Sequence, residues 1–321
     1  MTPSKSSDRL IRKLSAALGT AVCDALNDSE VVEIMLNPDG KLFLERLGER
    51  ITLIGDLSAE AAEVAIGAVA HALGAYADRG HPIVSGELPL AGRYRFEGLL
   101  PPVVSSPSFS IRRHLTRVLS LDDYVVASIL TPAQAQTIRE AVQTRRNIIV
   151  SGGTGSGKTT LATTIIGEMI RHSPQDRLVM LEDTPEIQCS AANIVSLRTS
   201  AAIDMSKLLR SALRLRPDRI VVGEVRDGAA LSLLKAWNTG HPGGVATVHS
   251  NTARSTLQRL EQLTGEVSQQ PMCAIIGEAV DVVISIERTA KGRRISEILQ
   301  VTRFAGGEYQ CASYGEIRHA A

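Results

Sequence analysis

The chain has 321 residues, of which 44% are hydrophobic and 21% charged, and its 35 basic and 34 acidic side chains leave a net charge of +1. This length exceeds what one small core usually holds, so we expect two domains. The near-zero net charge argues against a protein whose main task is to coat nucleic acid, and the four widely spaced cysteines argue against both a zinc knuckle and a disulfide framework.

The first predicted element is a helix near the N-terminus. Leu10, Leu14 and Leu18 follow a helical period, and Arg9 and Arg12 lie alongside them. This pattern fits a helix packed on its own domain, and it also fits a helix resting on an anionic membrane. The start of the chain lacks an apolar leader segment, and no run of about 18 apolar residues could span a bilayer. We therefore expect a cytoplasmic protein whose membrane contact, if any, is peripheral.

Residues 31–115 alternate short apolar segments with turn signals. Three segments up to residue 55 predict a small antiparallel meander. An alanine-rich helix follows, which Ser58 can cap and which is expected to end just before Gly80. Strand-like segments then return between residues 82 and 114. Residues 1–115 are accordingly predicted to form an N-terminal α+β domain.

Residues 116–130 are predicted to be a linker, and Thr131 then begins a second domain, residues 131–321, with a capping box. After it, the apolar segments NIIVSG, RLVMLED, RIVVGE and GVATVH alternate with helical segments. This alternation predicts an α/β domain with a mainly parallel sheet covered by helices. The last three strand-like segments, from residue 281 onward, predict an antiparallel extension.

A glycine-rich segment, SGGTGSGKTT, joins the apolar strand NIIV to the next helix. Its residues 152–159 fit the pattern G-x-x-x-x-G-K-T, in which backbone amides and a helix N-terminus surround phosphate oxygens. Lys158 is expected to reach the β and γ phosphates of ATP, and the Thr159 hydroxyl to ligate Mg²⁺. The residues predicted to bind ATP in this segment are Gly153, Thr154, Gly155, Ser156, Gly157, Lys158, Thr159 and Thr160.

Two acidic clusters follow predicted strands. Glu224 ends the strand RIVVGE, where P-loop ATPases place their second acidic motif, but Gly223 stands where an aspartate normally precedes the glutamate. We therefore expect Thr159, waters and Glu182 of the segment LEDTPEI to hold Mg²⁺. Glu186 in the same segment is open to two interpretations, as an ordinary loop carboxylate or as a catalytic one. The expected catalytic residues are Glu224, Lys158, Glu182 and His249.

Two histidines lie in the segment TGHPGGVATVHSNTA. His241 belongs to a Gly-Pro turn, whereas His249 ends a predicted strand on the same side of the sheet as Lys158 and Glu224. We expect His249 to sense the γ phosphate; the alternative is a structural, hydrogen-bonded histidine. The absence of a cysteine or carboxylate at ligand spacing argues against zinc.

Taken in order, these four motifs resemble those of the secretion ATPase superfamily: a Walker A motif, an Asp box, an atypical Walker B motif and a His box. The segments MLNPDGKLFLER and GRYRFEGLLPPVV are similar to the N-terminal domain of the type IV secretion traffic ATPase branch. Within that branch, the length and the motif sequences most resemble those of the conjugal transfer ATPases. The resemblance implies a RecA-like P-loop domain behind a smaller α+β domain. It further implies a hexameric ring that uses ATP and Mg²⁺ and contacts inner-membrane components of a secretion machine at the cytoplasmic face.

The resemblance also implies that N-terminal arginines, at Arg95 and Arg112, contact the nucleotide phosphates. In a strand, Arg93 and Arg95 would share one face while Tyr94 and Phe96 face a core. A solvated basic face is the alternative. Three further arginines could reach a subunit interface, namely Arg210, Arg214 and Arg226.

The function that these features predict is an ATP-hydrolysing motor of a conjugative type IV secretion system, which powers pilus assembly or substrate transfer. The alternatives are an ATPase of a type II secretion or type IV pilus machine, a nucleic-acid translocase, and a scaffold that binds nucleotide without hydrolysing it. Ten aromatic residues (one Trp, five Tyr and four Phe) provide few stacking platforms and argue against direct nucleic-acid binding. For the motor, we expect Glu224 to polarise water, His249 to report phosphate loss and residues 116–130 to act as the hinge of domain closure.

Overall fold

The computed structural model divides the chain into two compact units, Met1–Thr116 and Arg117–Ala321. Each unit has its own hydrophobic core. Side chains are described from residue 12 onward. The residues that the structure describes are 5–28, 30–46, 49–88, 90, 94–113, 118–200, 202–289 and 292–313.

The first unit packs two helices against an antiparallel sheet. Its strands pair in the order β3-β2-β1-β6-β5-β4. Burial alternates along β5, where Tyr94 and Phe96 are buried and belong to the core shared with the helices. The unit is therefore α+β, as predicted. Its elements are α1 (Lys5–Asn27), β1 (Val31–Leu36), β2 (Lys41–Arg46), β3 (Thr52–Asp56), α2 (Ala59–Leu73), β4 (Ile83–Leu88), β5 (Tyr94–Leu99) and β6 (Ser108–Arg113).

The start and the end of α2 can be compared with the start and end predicted from Ser58 and Gly80. Ser58 caps its start, because the Ser58 side chain accepts a hydrogen bond from the amide of Ala61. The predicted end was wrong, since the helix stops at Gly74 and not near Gly80. Gly74 has a φ of +70°, the left-handed conformation that glycine adopts without a Cβ penalty.

The apolar side of α1 packs within the first unit where side chains are described. Leu14 and Leu18 are each only 1% exposed and belong to the core of this unit. The burial of these two residues therefore agrees with a helix packed on its own domain. The side chains of Leu10 and Arg9 lie outside the described residues. Within the described ranges, none of the helices is both long and apolar enough to cross a membrane.

The second unit is built on an eight-stranded sheet. Its strands pair in the order β14-β13-β12-β7-β11-β10-β8-β9, and the pairs from β12 to β9 are parallel. This confirms the predicted mainly parallel α/β sheet. The strands are β7 (Ile148–Gly152), β8 (Leu178–Glu182), β9 (Ile194–Arg198), β10 (Arg219–Val225), β11 (Val245–His249), β12 (Val282–Thr289), β13 (Gly292–Ala305) and β14 (Glu308–Ser313).

Helices cover both faces of this sheet. In β7, Ile149 belongs to one core, whereas Ile148 and Val150 belong to the other. The central strands are thus buried on both sides and read as continuous apolar runs. The helices of this unit are α3 (Leu121–Val126), α4 (Pro132–Gln143), α5 (Lys158–His172), α6 (Met205–Ala212), α7 (Ala229–Asn238), α8 (Ala253–Gly265) and α9 (Cys273–Ala279).

Three features of the second unit differ from the sequence-based expectation. β12 pairs in parallel with β7, so it belongs to the parallel sheet, and only β13 and β14 form the antiparallel extension. The edge strand β9 was not predicted. The predicted linker, residues 116–130, contains α3, whose Leu121 and Tyr124 are buried in a core of the second unit.

Strand order determines where the polar residues of this unit meet. β7, β11, β10 and β8 are consecutive neighbours and run parallel, so their carboxyl ends lie side by side at one edge of the sheet. Open parallel sheets bind ligands at this edge. These four strand ends carry Gly152, His249, Glu224 and Glu182.

Candidate nucleotide-binding site

The backbone of the glycine-rich loop between β7 and α5 has a positive φ, which favours glycine, at two points. Gly155 and Gly157 have φ values of +70° and +97°. Gly152 is needed for a different reason, because a Cβ there would collide with the backbone oxygen of Ile286 and lie 2.5 Å from Ser156 Oγ. The loop is therefore a close-packed turn that leads directly into the N-terminus of α5, an arrangement suited to binding phosphate.

The Lys158 side chain folds back across this loop. Its Nζ donates hydrogen bonds to the backbone oxygens of Gly152, at 2.8 Å, and Gly153, at 2.9 Å. The Ser156 Oγ is buried and lacks a hydrogen-bond partner among the described residues. A buried hydroxyl without a partner is unusual and indicates a place where a polar ligand can bind.

A cleft lies beside the first turn of α5, at the carboxyl ends of β8 and β10. We call it the acidic cleft. It is lined by four carboxylates, two hydroxyls and one guanidinium, those of Glu182, Asp183, Glu186, Glu224, Thr159, Thr184 and Arg226. Four predicted site residues thus meet here or next to it: Thr159, Glu182 and Glu224 in the cleft, and Lys158 in the adjoining loop.

Glu182 organises the backbone after β8. This residue is 4% exposed, and its Oε1 accepts hydrogen bonds from the amides of Glu186 and Ile187, both at 2.8 Å. The turn held in this way directs Glu186 toward α5, where Thr159 Oγ1 donates to Glu186 Oε2 at 3.2 Å. Glu186 is therefore part of the cleft and in contact with Thr159, which favours the functional interpretation left open by the sequence.

The absence of an aspartate before Glu224 has a steric explanation. A Cβ on Gly223 would lie 3.0 Å from Cγ of Glu182 and 3.5 Å from its Oε1. The space that a side chain at residue 223 needs is already filled by Glu182 from the neighbouring strand. A carboxylate from β8 thus lies where a side chain of β10 would otherwise be.

Glu224 is ion-paired in the acidic cleft. Arg226 Nε donates to Glu224 Oε2 at 2.8 Å, and Arg226 also lies 3.9 Å from Asp183 Oδ2. Burial lowers the pKa of Arg226, but the hydrogen bond with Glu224 and the charges of Glu224, Asp183 and Glu186 outweigh it and raise that pKa overall. The place of Arg226 two residues after Glu224 was the only sequence signal for this ion pair. That Arg226 could also reach a subunit interface stays a prediction.

His249 lies beside the phosphate-binding loop. It is paired in register with Gly152 across β11 and β7, and its side chain is exposed. His241 precedes β11 at the opposite end of that strand, and its Nδ1 is buried without a partner among the described residues. Of the two histidines, His249 is therefore the one at the edge that carries the site. Thr160 is half-buried in the first turn of α5.

The donor set of the acidic cleft fits a hard divalent cation. Mg²⁺ prefers oxygen ligands and usually binds through one or two carboxylates together with substrate phosphates and waters. The Thr159 hydroxyl and the Glu182 and Glu186 carboxylates are oxygen donors at one end of the loop. The residues present therefore suit Mg²⁺ with a nucleotide.

The first unit brings its two predicted site arginines together. Arg95 on β5 and Arg112 on β6 are directly opposite in register, with Glu87 and Glu33 as their outer neighbours on the flanking strands. Directly opposite residues share a face, so the two arginines lie side by side in a row that crosses the sheet and has a glutamate at each end. Arg93 lies outside the described residues. The contact of Arg95 and Arg112 with nucleotide phosphates stays a prediction.

Known proteins match the chain over most of its length. The family model for Type II/IV secretion system protein matches residues 92–312. The chain is 64% identical over 309 residues to the probable conjugal transfer protein TrbB of Sinorhizobium fredii, covering 96% of this chain and 95% of that protein. It is 60% identical over 317 residues to the conjugal transfer protein TrbB of Rhizobium radiobacter, covering 99% of this chain and 98% of that protein.

A solved structure, that of the Legionella pneumophila ATPase DotB, matches with a TM-score of 0.60 and 20% identity, over 99% of this chain and 85% of that one. At this identity the likeness bears on the fold alone. The resemblance predicted from the four motifs, to secretion ATPases and among them to conjugal transfer proteins, is confirmed by the sequence matches. The chain belongs to the Type II/IV secretion system protein family.

Proposed function

We propose that this chain is the ATP-hydrolysing motor of a conjugative type IV secretion apparatus, that it works as a homohexamer, and that it powers pilus assembly or substrate transfer. The observation that carries the proposal is the meeting of Lys158, Thr159 and Glu224 at one edge of the sheet. The identity with two TrbB proteins supports a conjugative apparatus over the alternative within the family, a type II secretion or type IV pilus machine.

The loop residues bind the triphosphate in this proposal. The Lys158 ammonium, which donates to the oxygens of Gly152 and Gly153, exchanges these acceptors for β and γ phosphate oxygens. Charge-assisted hydrogen bonds to phosphate are stronger than those to neutral carbonyls, so the exchange is favourable. Thr159 and Glu182, with Glu186 on Thr159, would hold Mg²⁺. When bound, that ion neutralises charge on the phosphates.

Glu224 prepares the attacking water. Its carboxylate accepts the water proton while the water oxygen attacks the γ phosphorus and ADP leaves. This role requires Arg226 to release Glu224, and the negative charge of a bound triphosphate offers Arg226 another partner. His249, next to Gly152 at the same edge, is assigned to sensing the γ phosphate.

ATP turnover by the purified chain in Mg²⁺ tests the enzyme. We expect Lys158→Ala to lose ATP binding, and Glu224→Gln to retain binding while turnover falls roughly 100-fold, the usual contribution of a general base. Lys235→Ala and Glu308→Gln are matched controls, because both side chains are exposed and lie away from the cleft. A wild-type chain without Mg²⁺-dependent turnover, or one that Lys158→Ala leaves unchanged, would refute the proposal.

Three further measurements address the apparatus. Donor cells that carry Glu224→Gln in place of the wild-type gene should transfer their plasmid far less often, while secretion of type II substrates continues. Sedimentation of the purified chain with ADP should give the mass of six copies. Unimpaired plasmid transfer by Glu224→Gln cells would contradict the conjugative role, and a monomeric mass under all nucleotide conditions would contradict the hexamer. Cell fractionation tests contact with inner-membrane components.

A further inference from the structure

An arginine outside the four motifs lies against the phosphate-binding loop. Arg293, at the start of β13, approaches Gly157 so closely that a Cβ on Gly157 would lie 3.2 Å from its Cδ and 3.3 Å from its Nε. The Nε of Arg293 is buried and has no hydrogen-bond partner among the described residues. A buried guanidinium nitrogen without an acceptor is costly, and an anionic ligand would remove the cost.

The strand pair that carries Arg293 is asymmetric in charge. On one face of the β12–β13 hairpin, Arg294 binds Glu287, its directly opposite neighbour. On the other face, Arg293 is directly opposite Arg288. Like charges directly opposite each other are destabilising, so this second face is unfavourable as it stands and would be stabilised by an anion. The arginine pair is on the face that meets the loop, because Arg293 contacts Gly157.

The position of Arg293 distinguishes the two ends of a bound nucleotide. The neighbours of β7 are β11 on one side and β12 on the other. The carboxylates of the acidic cleft lie on the β11 side, on β10 and β8, whereas Arg293 lies on the β12 side. In the proposed function the γ phosphate faces Glu224, so the α phosphate faces the flank of the loop where Arg293 lies.

We propose that Arg293 is a nucleotide-binding residue that holds the α-phosphate end of ADP and ATP, with Arg288 adding to the positive charge of the same flank. The inference rests on the proposed function and extends it to a residue that the motifs do not include. Contacts at the α phosphate are equal in the ground and transition states, so Arg293 should affect binding and leave the chemical step unchanged.

Calorimetric titration of the full chain with ADP and with a non-hydrolysable ATP analogue, together with steady-state ATP turnover, tests the assignment. For Arg293→Ala we expect Kd to rise roughly tenfold or more for both ligands by the same factor, as for a lost charged hydrogen bond. The KM for ATP should rise in step, and kcat should stay within about twofold. Arg293→Lys should lose less affinity, because it keeps the charge but not the planar fork.

Arg294→Ala is the matched control, since this exposed neighbour points to the other face and its ion pair with Glu287 contributes little. Two outcomes would overturn the assignment: an Arg293→Ala chain that binds ADP as tightly as the wild type, or one that loses affinity for the ATP analogue alone. If thermal unfolding shows that the Arg293→Ala chain is not folded, Arg293→Lys is measured in its place. The assignment is then overturned if Arg293→Lys binds ADP as tightly as the wild type, or if it loses affinity for the ATP analogue alone. If the wild type binds neither ligand, the proposed function itself fails, which separates the two cases.

Discussion

Arg226 binds Glu224 through two of its nitrogens, which lie 2.8 Å and 2.6 Å from the same carboxylate oxygen, Oε2. The pair is partly exposed, with 55% of the Arg226 side chain and 29% of the Glu224 side chain accessible, so its own contribution to stability is small. The ion pair matters because of where it places Arg226 and Glu224. The arginine is the cation that the structure provides inside the acidic cleft, and it holds the carboxylate proposed to act on water.

Removing this cation should weaken nucleotide binding. With Arg226→Ala, four carboxylates of the cleft face the triphosphate without it, so we expect KM for ATP to rise roughly tenfold. The effect should be larger at low ionic strength, where charge repulsion is less screened. Arg303→Ala, an exposed arginine on β13, is the control. Steady-state kinetics at two salt concentrations check this, and an unchanged KM for Arg226→Ala would show that Arg226 does not face the nucleotide.

Removing the Glu182 carboxylate should destabilise the second unit. Glu182→Ala leaves the amides of Glu186 and Ile187 without their shared acceptor, and we expect the free energy of unfolding to fall by about 2 to 4 kcal/mol. Glu182→Gln retains an oxygen and should lose less. Urea denaturation followed by circular dichroism measures both, with Glu308→Ala, at the exposed first residue of β14, as the control. Equal stabilities of Glu182→Ala and the control would mean that these hydrogen bonds do not hold the turn.

Two glycines of the loop should respond differently to alanine. Gly152→Ala places a methyl group against the backbone oxygen of Ile286, which cannot move aside without disturbing β12. We expect it to lower the free energy of unfolding by about 1 to 3 kcal/mol, as overpacking does. A Cβ on Gly153 meets nothing within 4 Å, and its φ is not positive, so Gly153→Ala should be tolerated.

Thermal unfolding without nucleotide separates these two variants, because it excludes any contact of the new methyl group with phosphate. The close packing described for the loop would be refuted if Gly152→Ala unfolded at the same temperature as Gly153→Ala.

Local signals predicted most individual elements. Ser58 and Thr131 accept the amide hydrogen bonds that their capping motifs predict. The end of α2 was missed because two glycines, Gly74 and Gly80, were both plausible ends and only backbone conformation distinguishes them. The direction of β12 was missed for a related reason: its apolar sequence fits either orientation, and the crossover through α8 and α9 from β11 decides that it runs parallel.

Some features of the site could likewise be predicted from the sequence, whereas others are seen only in the structure. By itself the sequence determined the phosphate-binding loop, the strand-end acids and the family, because these depend on residues that are neighbours in the chain and on patterns that recur at fixed spacing. Tertiary structure alone decided that Glu182 fills the space beside Gly223 and that Arg293 reaches Gly157. These contacts join side chains on different strands or turns, and strand order and register, which no local pattern specifies, bring them within a few ångströms of each other.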